Sequence, residues 1–240
     1  MKTTRAAKDA RRAKRGSKSK ARSHRDDPTT LHVLGGTMDP DVYERVLRAA
    51  RRTDFGGPWE STAPMILPVL KRVRHPYPPE LSPMHMLVPP GIWTGFGIDF
   101  GPAFSHVTAS MIEGWGIDQA TLLGTALENL RRLVVDEPPD VQPFEVQGRA
   151  LIGVQGQGWG SSLLLLPEVL RPLLGPEPRT LLAPVRNTLI ALPEDADLEL
   201  AVSVWDALAD GAHDELDVDP MRWNGATVVA IGDESSGLPN

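Results

Sequence analysis

Residues 118–155 read DQATLLGTALENLRRLVVDEPPDVQPFEVQGRALIGVQ, and this stretch decides the fold class. Its first half places Leu122, Ala126, Leu130, Leu133 and Val134 at the spacing with which one helix face recurs. Asp118 stands where an N-cap carboxylate can accept from the first unpaired amides. Asp136-Glu137-Pro138-Pro139 ends the run, because proline has no N–H with which to continue it. A helix is therefore expected from Asp118 to about Val134. The second half changes period: Phe144 to Gln147 and Ala150 to Gln155 read as two strands. A helix followed directly by a strand pair points to an α+β fold, with short mixed or antiparallel sheets and packed helices.

Working toward the C-terminus, Ser161 to Leu174 is apolar and helical in pattern, with Pro167 and Pro172 kinking or shortening it. Leu181 to Pro184 and Thr188 to Leu192 read as neighbouring strands around an Arg186-Asn187 turn. Asp197 to Ala209 reads as a capped helix with Leu198, Ala201, Val202, Trp205 and Leu208 facing inward. Met221-Arg222-Trp223 and Ala226 to Ile231 flank Asn224-Gly225, a dipeptide suited to the two positive-φ positions of a type I′ hairpin turn.

Working toward the N-terminus, Ile92 to Phe100 alternates as a strand, and Val107 to Ile112 is a candidate partner for it. Residues 58–91 are punctuated by proline, so irregular and extended chain with at most a short helix is expected. Leu31 to Leu34 reads as a short strand. Asp39-Pro40 then opens a helix, a cap followed by proline at the first helical position.

The charge is divided unevenly. Residues 1–25 hold 11 Lys and Arg against Asp9 alone, a balance of +10; the remainder holds 14 against 30, a balance of −16. Residues 1–28 contain no aromatic and no large aliphatic side chain besides Met1, so they lack the means to form a core and are expected to be disordered alone. This defines a basic tail over 1–28 and an α+β body over 29–240, with candidate subdomains 29–140 and 141–240. Arg5, Lys8, Arg11, Arg12, Lys14, Arg15, Lys18, Lys20 and Arg22 are the candidate nucleic-acid-binding residues. No aromatic side chain is interleaved for base stacking, so such contact would lack sequence specificity.

The absence of cysteine removes disulfides, thiolate metal sites and a cysteine nucleophile, and fits a cytoplasmic protein. No run approaches the roughly 18 apolar residues of a membrane-spanning helix. The basic tail continues into Ser23-His24-Arg25-Asp26-Asp27 where a signal peptide would turn apolar, so a secretory signal is not expected.

Several of these segments together resemble one family. Trp115-Gly116-Ile117-Asp118 leading to Ala126-Leu127-Glu128-Asn129-Leu130, the Gly160-Ser161-Ser162-Leu163-Leu164-Leu165 run, Ala183-Pro184-Val185-Arg186-Asn187 and the Trp223-Asn224-Gly225 hairpin are similar to segments of the YtpQ-like bacterial proteins. The resemblance covers about residues 90–231, and more weakly Ile66 to Arg72. It departs from the family pattern at Ser161, Val185 and Asn187, where the family has Ala, Ser and Asp. An α+β body is what the resemblance implies; it carries no activity, and the basic tail lies outside it.

Gly156-Gln157-Gly158-Trp159-Gly160-Ser161-Ser162 is the most suggestive local pattern. A glycine-rich turn opening a helix can direct backbone amides and hydroxyls at an anion. Gly158, Gly160, Ser161, Ser162 and Arg186 are accordingly the candidate anion-binding residues, although no Lys follows the glycines as a phosphate-cradling loop would require. The competing reading is a strand-to-helix connection with Ser161 or Ser162 as its cap, and an Arg186 that pairs with a carboxylate of the Asp197 helix. Ser161, His106 and Asp99 supply the residue types of a hydrolase triad, without the G-x-S-x-G elbow. The six histidines, His24, His32, His75, His85, His106 and His213, show no metal-ligand spacing. Glu194 to Asp197 and Asp214 to Asp219 are acidic, but the latter lacks the glycine and closing glutamate of a calcium loop.

The expectation from sequence is thus a non-enzymatic interaction protein with no cofactor. Its tail would touch nucleic acid, ribosomal RNA or another polyanion, its body a protein partner, and no membrane is involved. The alternatives are a small-anion or small-molecule binding domain, and a hydrolase.

Overall fold

The computed structural model describes residues 57–72, 83–99, 104–210, 212 and 214–231. The candidate nucleic-acid-binding residues from Arg5 to Arg22, the strand expected at Leu31 to Leu34, the helix opening at Asp39-Pro40, and His24, His32, His75 and His213 lie outside the described residues. Within them the elements run α1 (Trp59–Thr62), a 3-10 turn (Ala63–Met65), β1 (Ile66–Leu70), β2 (His85–Val88), β3 (Ile92–Asp99), β4 (Phe104–His106), α2 (Ala109–Trp115) and α3 (Gln119–Asp136). There follow β5 (Asp140–Val146), β6 (Arg149–Gln155), a 3-10 helix (Gly160–Leu165), α4 (Pro167–Leu174), β7 (Arg179–Val185), β8 (Thr188–Pro193), α5 (Leu198–Ala209), β9 (Met221–Trp223) and β10 (Val228–Ala230). The fold is α+β, built on two antiparallel sheets.

The first sheet is four-stranded. Its long strand β3 pairs with β1 on one side and with β2 and β4 in succession on the other. The second is six-stranded, in the order β10-β9-β7-β8-β6-β5. Helix α3 bridges the two. Leu122 and Ala126 pack with Ile66, Phe96 and Ile98 of the first sheet, and Leu130 joins the larger cluster that takes in Leu163, Leu181, Leu189 and Trp223. That cluster also contains Leu67, Leu70, Val88 and Ile92, so the buried interior runs across residue 140. The opposite face of the six-stranded sheet is covered by α5, where Leu151, Leu182, Ile190 and Leu192 meet Leu200, Val204, Trp205 and Ala209.

Helix α3 starts as its sequence predicts. The Thr121 amide donates to Asp118 Oδ1 at 2.7 Å, and this bond holds the Asp118 carboxyl below its ordinary value of 3.8. Asp197 caps α5 in the same way, accepting from the Leu200 amide at 2.8 Å.

Four expectations need correction. Residues 58–91 hold more regular structure than their prolines suggest: α1, the 3-10 turn, β1 and β2. Pro68 sits inside β1, which is tolerated because β1 is an edge strand and needs no outward N–H there. The partner of β3 is Phe104–His106 rather than Val107 to Ile112. Thr108 accepts from the Met111 amide at 3.4 Å and opens helix α2 instead. Helix α5 is turned partway from the expected face: Trp205 is buried and Ala201 packs inward as expected, Leu200, Val204 and Ala209 join them, and Leu198 and Leu208 are 49% and 38% exposed. The polar stripe Glu199, Ser203 and Asp206 marks its outward side, and the buried residues opposite pack against β7 and β8.

The fourth correction concerns the turns. The two-residue type I′ geometry belongs to Gln147-Gly148, both at positive φ (53° and 74°) between the paired Val146 and Arg149. The Asn224-Gly225 hairpin is present, but Val228 pairs with Trp223, which leaves a four-residue loop. There the Asn224 side chain accepts from the amides of Ala226 and Thr227 at 3.0 and 2.9 Å. Only Gly225 of this pair has positive φ, and a Cβ on it would come 2.2 Å from the Pro176 carbonyl oxygen.

Candidate binding site

The glycine-rich loop and the Arg186 turn meet, as the sequence reading grouped them. The Gly156 amide donates to the Asn187 carbonyl at 3.0 Å, and the Ser161 amide and hydroxyl both donate to the Arg186 carbonyl, at 3.1 and 2.8 Å. Gly160 lies so close to the turn that a Cβ there would stand 2.3 Å from the Asn187 carbonyl oxygen. Ser162 reaches the other way, donating its hydroxyl to the Pro68 carbonyl at 2.9 Å. Both serines are wholly buried.

These bonds turn the Gly156 amide, the Ser161 amide and both serine hydroxyls into the fold. Trp159, Gly160 and Ser162 amides likewise donate to carbonyls of Gly156, Gly156 and Trp159. Neither serine caps the following helix through its side chain; Trp159 precedes the 3-10 helix with no side-chain cap bond. Gly158, at the tip with φ +76°, is half-buried. The Arg186 guanidinium lies 3.8 Å from the centroid of the Phe104 ring, and its main-chain amide donates to Asp214 Oδ2 at 3.3 Å. Beside the loop is a cavity of about 440 Å³ lined by Glu137, Pro138, Asp140, Gln155, Gly156, Gln157, Trp159 and Asn187. Two carboxylates and no cation line it, which suits a neutral or cationic occupant better than an anion.

The three triad residue types are spread differently. Asp99 and His106 sit on the paired strands β3 and β4, with Asp99 opposite Phe104 and His106 opposite Gly97. The His106 ring stands edge-on to Phe104, centroids 5.7 Å apart. Ser161 gives its hydroxyl proton to the Arg186 carbonyl and has no exposed surface. A hydroxyl so placed is a structural donor, not a reachable nucleophile. Among the described residues no group of three or more His, Asp or Glu side chains is placed to hold a metal ion.

A second cavity, which the sequence reading did not anticipate, opens on the α5 face of the six-stranded sheet. It measures about 340 Å³. Gln142, Phe144 and Val146 of β5 form one wall, and Ser203, Val204, Ala207 and Leu208 of α5 the other. Gly153 and Gln155 of β6 with Thr188 and Ile190 of β8 form the floor. The registers explain the grouping: Gln142 lies opposite Gly153 and Gly153 opposite Ile190, so all three point to one face. The space exists because small residues stand where the helix passes the sheet. The nearest atom to a Cβ on Gly153 would be the Phe144 ring edge, at 3.3 Å. The alternation Gln142, Phe144, Val146 was the available sequence signal. The cavity's second wall comes from α5, far along the chain, and no local pattern reports that pairing.

Gln155 lines both cavities. No helix among the described residues is long and apolar enough to cross a membrane. Comparison with protein-family models, curated proteins and solved structures finds no match to this chain.

Proposed function

We propose that this chain is a cytoplasmic, non-enzymatic interaction protein of bacterial type, related to the YtpQ-like proteins over about residues 90–231. Its basic N-terminal segment makes sequence-independent contact with nucleic acid, ribosomal RNA included, and its α+β body is the module that a protein partner recognises. The observation that carries this reading is the division of charge: +10 over residues 1–25 against −16 over the rest. Eleven cations in so short a stretch, without aromatic residues, suit phosphates and not bases. The inward use of the Ser161 and Ser162 hydroxyls supports a scaffold rather than a catalyst.

The test uses the full chain and a variant in which Arg5, Lys8, Arg11, Arg12, Lys14, Arg15, Lys18, Lys20 and Arg22 are all changed to Gln. Both are titrated on mixed-sequence DNA and RNA across a salt series. The unaltered chain should bind with an affinity that falls steeply with salt, by about 0.9 in the log–log slope for each duplex phosphate neutralised. The variant should lose that binding. Equal, salt-insensitive retention of the two proteins would rule the reading out.

A further inference from the structure

We propose that the cavity between α5 and the β5–β6 edge of the six-stranded sheet is a binding site for a small, uncharged aromatic molecule bearing a carboxamide or similar donor–acceptor group. Three observations carry this. The first is the absence of charge: the cavity is lined by Gln, Phe, Val, Gly, Thr, Ile, Ser, Ala and Leu side chains, in a chain where 23% of residues are charged. A lining without charge offers an ion no countercharge and so favours a neutral ligand.

The second is size. An apolar cavity of about 150 Å³ holds benzene. At about 340 Å³ this one has room for a fused bicyclic ring or one ring with a short arm, and it falls at the lower end of the range of small-molecule sites. The Phe144 ring, 37% exposed, lies over the buried backbone of Gly153, and Ile190 and Val204 are buried in the same lining. A flat ring entering there would meet Phe144 on one side and the α5 residues Ala207 and Leu208 on the other.

The third is polar. The exposed Gln155 carboxamide and Ser203 hydroxyl both line the cavity and can exchange water for a ligand's polar group. Gln142 donates its amide to Asp140 Oδ2 at 2.6 Å, which leaves its carbonyl oxygen as an acceptor. Donors and acceptors are thus offered together, the pattern that an amide or lactam satisfies and a hydrocarbon does not.

The probe is indole-3-carboxamide, and its charged isostere indole-3-carboxylate is the control. Each is titrated into the full chain with Ile, Leu and Val methyls labelled for NMR. The carboxamide should shift the methyls of Val146, Ile190, Val204 and Leu208 while leaving those of Leu67 and Val88 in place, with a dissociation constant below about 1 mM. The carboxylate should bind at least about tenfold more weakly. Ala207→Trp, on an exposed helix position, should fill the mouth and reduce carboxamide affinity at least about tenfold, with an unchanged methyl spectrum elsewhere and an unchanged Tm. Absence of those four shifts in the unaltered protein would overturn the proposal, whatever the variant does. So would equal affinity for the two probes, or undiminished binding to a folded Ala207→Trp protein.

Discussion

The Ser162 hydroxyl donates to the Pro68 carbonyl at 2.9 Å across 94 positions of sequence, and the bond is buried. Pro68 lies in the middle of β1, the edge strand of the four-stranded sheet. Two positions earlier on the same edge, the Ile66 carbonyl accepts from Asn129 Nδ2 at 2.8 Å. The outward carbonyls of this edge are therefore closed by side chains from the 3-10 helix and from α3, which prevents further strand pairing there. Ser162→Ala would leave the Pro68 carbonyl buried without a partner. It should lower stability by about 1–3 kcal/mol in urea unfolding, without altering the denaturant slope. A loss under about 0.5 kcal/mol would show that the bond has no structural role.

Of the three glycines in the glycine-rich loop, Gly158 and Gly160 are required for different reasons. Gly160 is confined by the Asn187 backbone, 2.3 Å from where a Cβ would stand, and backbone cannot step aside as a side chain can. Gly158 has open space but φ +76°, a conformation that Asn tolerates and most residues do not. Gly158→Asn should therefore cost only a few tenths of a kcal/mol, and Gly160→Ala about 1–3 kcal/mol. Thermal melting of the two variants decides between them; the reverse order would mean that the loop does not seat on the turn.

Where local rules suffice, the sequence was legible. The Asp118 and Asp197 caps, the strand pair around Arg186-Asn187 and the hairpin ending in Trp223 all rest on contacts within a few residues. The misread elements depend on distant partners. Pro68 is acceptable in a strand because β1 lies at the sheet's edge, where no outward N–H is needed, and that edge position is set by pairing with the distant β3. On α5, Glu199, Ser203 and Asp206 mark the outward side, but which apolar residues meet the sheet is settled by Leu182 and Leu192 on other strands. The loop around Gly160 reads in sequence as an anion-binding turn or a strand-to-helix connection; its close approach to the Asn187 backbone is a tertiary fact. The cavity above Gly153 was hidden for the same reason.

The cap on α3 carries a pH signature. Its Asp118 carboxyl is lowered from 3.8, first by the Thr121 amide bond. A carboxyl depressed on folding contributes stability that is present above its unfolded value and is lost as pH falls through the folded one. The window thus opens near 3.8 and extends downward. Asp118→Asn keeps an acceptor for the Thr121 amide but cannot titrate. Its Tm should fall less than that of the unaltered protein as pH is taken from about 5 to about 3. Parallel decline of the two curves would mean that this carboxylate contributes nothing to the acid sensitivity.

Arg186 occupies the top of a stack: its guanidinium lies over the Phe104 ring, and that ring covers Gly97, where a Cβ would come within 1.6 Å of it. The missing Cβ of Gly97 leaves room for the ring beside the sheet, and the Arg186 guanidinium lies 3.8 Å from the ring centroid. Arg186→Ala and Phe104→Leu should each destabilise, and the double variant should reveal a coupling of about 0.5–2 kcal/mol between them. Inorganic phosphate distinguishes this packing role from anion capture. If the guanidinium is held by the ring, added phosphate should shift the Tm of the unaltered protein and of Arg186→Ala equally. A shift confined to the unaltered protein, together with vanishing coupling, would return Arg186 to the role of an anion ligand.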